Sequence, residues 1–257
     1  MDVTKEITDR NGNKKVVKVQ SPKIDLILNN IKQRGMFATL TRFQYLHYDI
    51  NEALSIVEAI GQSRNPRFVI DDENRFTYEN FIRWCHCDTK MMRLDPVTAQ
   101  PIPGQLKRGI YIAGNTGTGK SWCLEIMQAY CKVYGFKVQY YGEEQQSNLY
   151  WGSFRADEIC EKYSETGNIN HFKNRVILAI QDLGSEQQES LYMGNRVDVM
   201  RQLIECRGDR SDCMTMVTSN LKLGGQKIID RYGDRVASRL AEMCNYFEIK
   251  GSDRRKW

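Results

Sequence analysis

Apolar residues in this chain fall into two rhythms. Short unbroken runs stand at Gly109-Ile110-Tyr111-Ile112-Ala113, Val176-Ile177-Leu178-Ala179-Ile180, Met214-Thr215-Met216-Val217-Thr218 and Tyr246-Phe247-Glu248-Ile249. A strand covered on both faces needs such a run, so these predict the strands of a parallel sheet. Lys137-Val138-Gln139-Tyr140-Tyr141 alternates and predicts one more strand. The second rhythm is helical. Leu124, Ile126, Met127 and Tyr130 form one apolar face, and Val197, Met200, Leu203 and Ile204 form another. Phe68-Val69-Ile70 leads into Thr77, placed to cap a helix through Phe81, Ile82 and Trp84. Strands alternating with helices predict an α/β fold, an open parallel sheet flanked by helices on both faces.

Residues 1–66 pattern differently and read as a small, mainly helical unit, with 67–257 as the main domain. Asn11-Gly12 between Lys5–Thr8 and Val16–Val19 predicts a hairpin. Ser21-Pro22 opens a helix with Ile24, Ile27, Leu28 and Ile31 on one face, closed by Gly35. A second helix runs from Asn51 to Gly61 with Ala53, Ile56, Val57 and Ile60 on one face. Gln62-Ser63-Arg64-Asn65-Pro66 reads as a linker. These two helices either present an apolar face to a partner or pack on the larger domain.

Composition narrows the class. At 257 residues and 41% hydrophobic content the chain can bury a sizeable core, and a net charge of +5 permits nucleic-acid contact without requiring it. No apolar run is long enough to span a bilayer, and Met1-Asp2-Val3-Thr4-Lys5-Glu6 is no signal peptide, so a cytoplasmic protein is expected. The 8 cysteines lack the clustering of a disulfide scaffold and are expected to be reduced. Cys85-His86-Cys87 has no second Cys/His pair at zinc spacing.

One motif carries the chemistry. Gly114-Asn115-Thr116-Gly117-Thr118-Gly119-Lys120-Ser121 satisfies G-x-x-x-x-G-K-[ST] between a predicted strand and a predicted helix. Glycines let backbone N–H groups turn inward around a triphosphate, Lys120 reaches the terminal phosphates and Ser121 suits Mg2+. The helix that follows points its positive end at the same anion. The run at 176–180 ends in Gln181-Asp182, making Asp182 the candidate acid for the Mg2+ shell. Asn220 follows the next strand and is placed to orient an attacking water. Arg235 and Arg239 share a helix face and are candidates for an arginine finger reaching a neighbouring subunit's nucleotide. Leu221-Lys222-Leu223-Gly224-Gly225-Gln226 reads as a loop. Tyr150-Trp151 near Arg155 suit either base stacking or core packing.

In this order, Gly114–Ser121, Asp182-Leu183-Gly184-Ser185-Glu186, Thr218-Ser219-Asn220 and Tyr232-Gly233-Asp234-Arg235-Val236-Ala237-Ser238-Arg239-Leu240 resemble the AAA+ ATPases of the helicase-loader (DnaC-like) group and their transposition relatives (IstB-like). The resemblance spans about residues 67 to 250. Asp72-Glu73-Asn74 through Trp84 resembles the family's approach to the nucleotide pocket. It implies an AAA+ P-loop core without a C-terminal lid domain, ATP and Mg2+ as cofactors, and Asn220 as sensor 1. It also implies a finger at Arg239, with Arg235 the second candidate. The implied partners are a replicative helicase or a transposase, single-stranded DNA, and further copies of the chain assembled with ATP. Residues 1–66 would grip the partner, and no membrane is involved.

The chain departs from the family at one point. Members carry two adjacent acids at the end of this strand, and Gln181 takes the first place. An amide neither carries charge to Mg2+ nor takes a proton. Either Asp182 serves the metal without a second acid as base, or it keeps the base role with a weaker metal shell, with Glu186 as a possible compensating acid. A bound nucleotide with slow turnover is the expectation, which also allows a non-hydrolysing, ATP-dependent adaptor.

Overall fold

The computed structural model describes residues 3–8, 14–19, 40–42, 45–140 and 146–255. Near the N-terminus, β1 (Val3–Thr8) and β2 (Lys14–Val19) pair antiparallel, as Asn11-Gly12 between them leads one to expect. The helix expected from Ser21 to Gly35 lies outside the described residues. After β3 (Leu40–Arg42) comes α1 (Ile50–Arg64), whose N-cap Asp49 accepts from the Asn51 and Glu52 amides. Gln62-Ser63-Arg64, expected in a linker, forms the last turn of this helix.

The expected separation at residue 66 is not a boundary of packing. Ala53, Leu54 and Val57 of α1 lie in one apolar cluster with Ile110, Ile112, Leu124 and Met127. The helix therefore buries its face on the main domain. Next, α2 (Arg75–Cys85) starts at Asn74, and Thr77 stands inside it. The buried Thr77 hydroxyl donates to the Glu248 carbonyl at 3.0 Å, tying helix to sheet instead of capping.

The remaining elements build the sheet. They are β4 (Met92–Leu94), β5 (Pro101–Pro103), β6 (Gly109–Ala113), α3 (Lys120–Tyr134), β7 (Lys137–Tyr140), β8 (Ser147–Asn148) and β9 (Gly152–Arg155). Then follow α4 (Ala156–Thr166), α5 (Asn170–Lys173), β10 (Ile177–Leu183), the β11–β12 hairpin (Ser190–Tyr192, Asn195–Val197), α6 (Val199–Gly208) and β13 (Met214–Ser219). The chain closes through α7 (Gln226–Tyr232), α8 (Asp234–Met243) and β14 (Cys244–Glu248). The central sheet runs β5-β4-β14-β6-β13-β10-β9, parallel from β14 to β9. This is a largely parallel sheet flanked by helices, the α/β architecture expected.

Side chains alternate across it. Ile110, Ile112, Ile177, Ala179, Met214 and Met216 face α1, α2 and α3, while Tyr111, Leu178, Ile180 and Val217 face α4, α6, α7 and α8. Two opposed faces of period 2, both apolar, make the continuous runs of the sequence.

One strand was misplaced by pattern. Lys137–Tyr140 lies in a separate antiparallel sheet, β3-β7-β8. The second parallel strand is β9, and Gly152-Ser153-Phe154-Arg155 is too short and too polar to announce itself. As an edge strand it has one neighbour in this sheet and needs no apolar run. Trp151 is fully buried in the core and Tyr150 is exposed, so core packing is Trp151's role. All eight cysteines are described and none is in a disulfide. Within Cys85-His86-Cys87, the ring nitrogens of His86 bond the Tyr130 hydroxyl at 2.7 Å and the Leu46 carbonyl at 3.1 Å. Among the described residues no group of His, Cys, Asp and Glu suits a metal, and no helix is long and apolar enough to cross a membrane.

Candidate nucleotide site

In sequence, β6 precedes both of its neighbours, β13 and β14, by a long way. A sheet opens a crevice beyond the carboxyl end of such a strand. Gly114–Gly119 occupies that place, leading from β6 into α3. Two glycines are needed for space. A Cβ on Gly114 would lie 2.4 Å from the Ile249 carbonyl oxygen. Gly117 has φ +80°, and a Cβ there would meet the Asp253 carboxylate at 1.9 Å. The turn is braced by the Thr118 hydroxyl, which donates to the Asn115 carbonyl at 2.9 Å.

Lys120 is 5% exposed, and its ammonium donates to the Asn115 carbonyl and to Asn220 Oδ1, each at 2.7 Å. The Asn220 amide also donates to Thr116 Oγ1 at 3.4 Å. The loop lysine and the asparagine at the neighbouring strand tip are thus brought together, 100 residues apart in sequence. Burial holds the ammonium below the usual lysine range, against an upward pull from Asp182 and with a lesser downward push from Arg255.

Ser121 and Asp182 meet through a residue to which the sequence assigned no role. The fully buried Thr218 places its hydroxyl 3.5 Å from Ser121 Oγ and accepts the Asp182 amide at 3.0 Å. Asp182 itself has φ +54°, where the β10–β13 ladder breaks between Ile180 and Leu183. The break swings the acid out of the sheet toward the loop, and Asp182 lines the cavity with Lys120 and Ser121. Ser219 secures the bend by donating to the Leu183 carbonyl at 2.6 Å. The buried polar pair Thr218-Ser219 at the end of an apolar strand was the available signal.

Other expected residues have different tasks. Glu186 is buried and accepts from the Gly184 amide at 2.8 Å, Arg231 at 2.7 Å and the Tyr232 hydroxyl. It is spent on that cluster and does not compensate for Gln181. Arg235 pairs with Glu205 at 3.7 Å, and Arg239 with Glu242 at 3.2 Å and with Asp209. Both stand on α8, and neither lines the cavity.

The cavity has a volume of about 760 Å³, enough for a nucleotide. Beyond the loop its wall is formed by Asn65, Phe68, Val69, Tyr78 and Trp122, with the Phe68 and Trp122 rings 5.3 Å apart. Arg64, Arg67, Arg254 and Arg255 add cations to the lining, where the sequence reading had placed only Lys120. Arg254 belongs to a strap, Ile249–Arg255, that returns from β14 over the loop. Its amide donates to the Gly117 carbonyl at 3.0 Å, and its guanidinium reaches Asp71 at 2.8 Å and Glu73 at 3.1 Å.

For Mg2+ the chain offers the Ser121 hydroxyl and a single strand-end carboxylate, Asp182. The ion favours carboxylate and phosphate oxygens. Gln181 brings an uncharged amide, and Asp182 Oδ2 stands 3.4 Å from Arg155 Nη1. The acid implied for the metal is already paired with a cation.

No protein-family model and no curated protein matches the chain. Among solved structures the chain is similar to a putative primosome component from Streptococcus pyogenes serotype M3, at 16% identity over 73% of this chain and 85% of that one, with a TM-score of 0.49. It is similar to the DnaC helicase loader at 16% identity, over 72% and 95% of the two chains, with a TM-score of 0.45. The replication initiator DnaA, bound to AMPPCP and single-stranded DNA, shows 18% identity over 73% and 49%, with a TM-score of 0.44.

Proposed function

We propose that this chain is an ATP-binding switch protein of the AAA+ kind that loads a replicative helicase onto single-stranded DNA. The observation that carries the nucleotide reading is the buried Lys120 ammonium, held between the phosphate loop and Asn220 at the head of a cation-lined cavity. A buried ammonium given only neutral oxygens is short of an anion, and a triphosphate supplies one. The helicase and DNA parts of the reading rest on the motif order, ending at Tyr232–Leu240. An IstB-like helper of a transposase shares that order and differs in its partner. Gln181, with Glu186 committed elsewhere, favours slow turnover and keeps a non-hydrolysing adaptor in view.

Binding of a fluorescent ATP analogue tests the nucleotide reading. Lys120→Ala is expected to weaken it by about a hundredfold, or about 2.7 kcal/mol. Unchanged binding in that variant would sink the reading. For the DNA role, anisotropy of a labelled single strand at low salt should rise on adding protein with ATP. A flat titration removes DNA from the function.

A further inference from the structure

We propose, building on the ATP reading above, that this site takes its nucleoside triphosphate with little reliance on a divalent cation. Arg155 pairs with the acid that would hold the ion, and the chain's own cations supply the countercharge.

Three observations lead there. The acid pair expected at the end of β10 is reduced to one by Gln181. The remaining acid, Asp182, faces Arg155 at 3.4 Å. The next acid along the strand end, Glu186, is closed off by Arg231 and Tyr232. Arg155 is no wandering surface side chain. It ends β9 in register with Gln181, and its guanidinium is shared between Asp157 at 3.0 Å and Asp182.

The cavity's charge balance points the same way. Arg64, Arg67, Lys120, Arg254 and Arg255 line it against Glu125 and Asp182, and Glu125 is paired with Arg64. Arg254 is paired with Asp71 and Glu73, and a triphosphate entering this cavity meets Lys120, Arg67 and Arg255 as further cations of the lining. In the usual arrangement, a metal both screens the phosphates and separates them from the strand-end acids. With Arg155 set beside Asp182, less of that screening is needed for binding. Arg155 is a positioning residue in this scheme, acting on the nucleotide through Asp182.

Equilibrium titration of a fluorescent ATP analogue into the full chain, once with Mg2+ and once with EDTA, tests this. The wild-type dissociation constants are expected to agree within about fivefold, a difference of about 1 kcal/mol. Arg155→Ala should weaken binding in EDTA by about tenfold or more, because an unpaired Asp182 then repels the phosphates, while Mg2+ restores it. Arg155→Lys keeps the charge and should behave as wild type. Arg155 is half-exposed, so these variants leave the core intact, as circular dichroism would verify. A wild-type loss in EDTA beyond about fivefold, or an Arg155→Ala variant as indifferent to EDTA as wild type, overturns the inference and leaves the ATP reading standing. No binding in either condition, or binding untouched by Lys120→Ala, overturns both.

Discussion

Thr218 illustrates how much a single buried hydroxyl carries. It has no exposed surface, yet its oxygen accepts the Asp182 amide and lies beside Ser121 Oγ. Thr218→Val keeps the shape and leaves the Asp182 amide without its acceptor. The cost is about 1–3 kcal/mol, an unmade bond to a partly buried group. For a chain of this size that lowers Tm by roughly 2–10 °C, readable by calorimetry. Thr218→Ser should recover most of the loss, and a Thr218→Val variant melting with wild type would show that the bend at Asp182 holds itself. Lys120 and Asp182 were legible in the sequence because their motifs fix residue type and spacing. Thr218 and Arg155 were not. Their importance lies in which strand neighbours which, and β9 had been assigned to the wrong segment.

At the scale of elements, the central strands were legible because a parallel sheet buried on both faces leaves a continuous apolar run. Edge strands such as β9 leave none. The helix at 50–64 was found, but its docking was not, since an apolar stripe reads the same against a partner or against its own domain. Here Leu54 and Val57 enter the core beside α3. Leu54→Ala is expected to destabilise the whole domain by about 2–4 kcal/mol, measured by urea unfolding. A chain beginning at residue 67 should lose its cooperative transition. If it melts sharply and still binds nucleotide, α1 is separable after all, and the apolar face belongs to a partner.

For the whole molecule, the candidate finger arginines raise a question of assembly. Arg239 is held by Asp209 and Glu242 on α8, away from the lining of its own cavity. If the neighbouring copy is where it acts, Arg239→Ala should leave nucleotide affinity of the dilute chain within about twofold and abolish ATP-dependent association in sedimentation velocity. A variant that assembles like wild type removes Arg239 from the interface, with Arg235 next to be tested the same way.

The strap that crosses the phosphate loop has a consequence in time. Arg254 joins Asp71 across 183 residues of chain, so the site's cover is made of segments far apart in sequence. The ribosome delivers the loop, Asp182 and Asn220 well before residues 249–255. Until residues 249–255 arrive, a nascent chain has the floor of its nucleotide site without the roof. Closing so long a span costs entropy that only a nearly complete fold repays. Protection of the Arg254 amide from hydrogen exchange therefore reports the moment at which the strap closes on the loop.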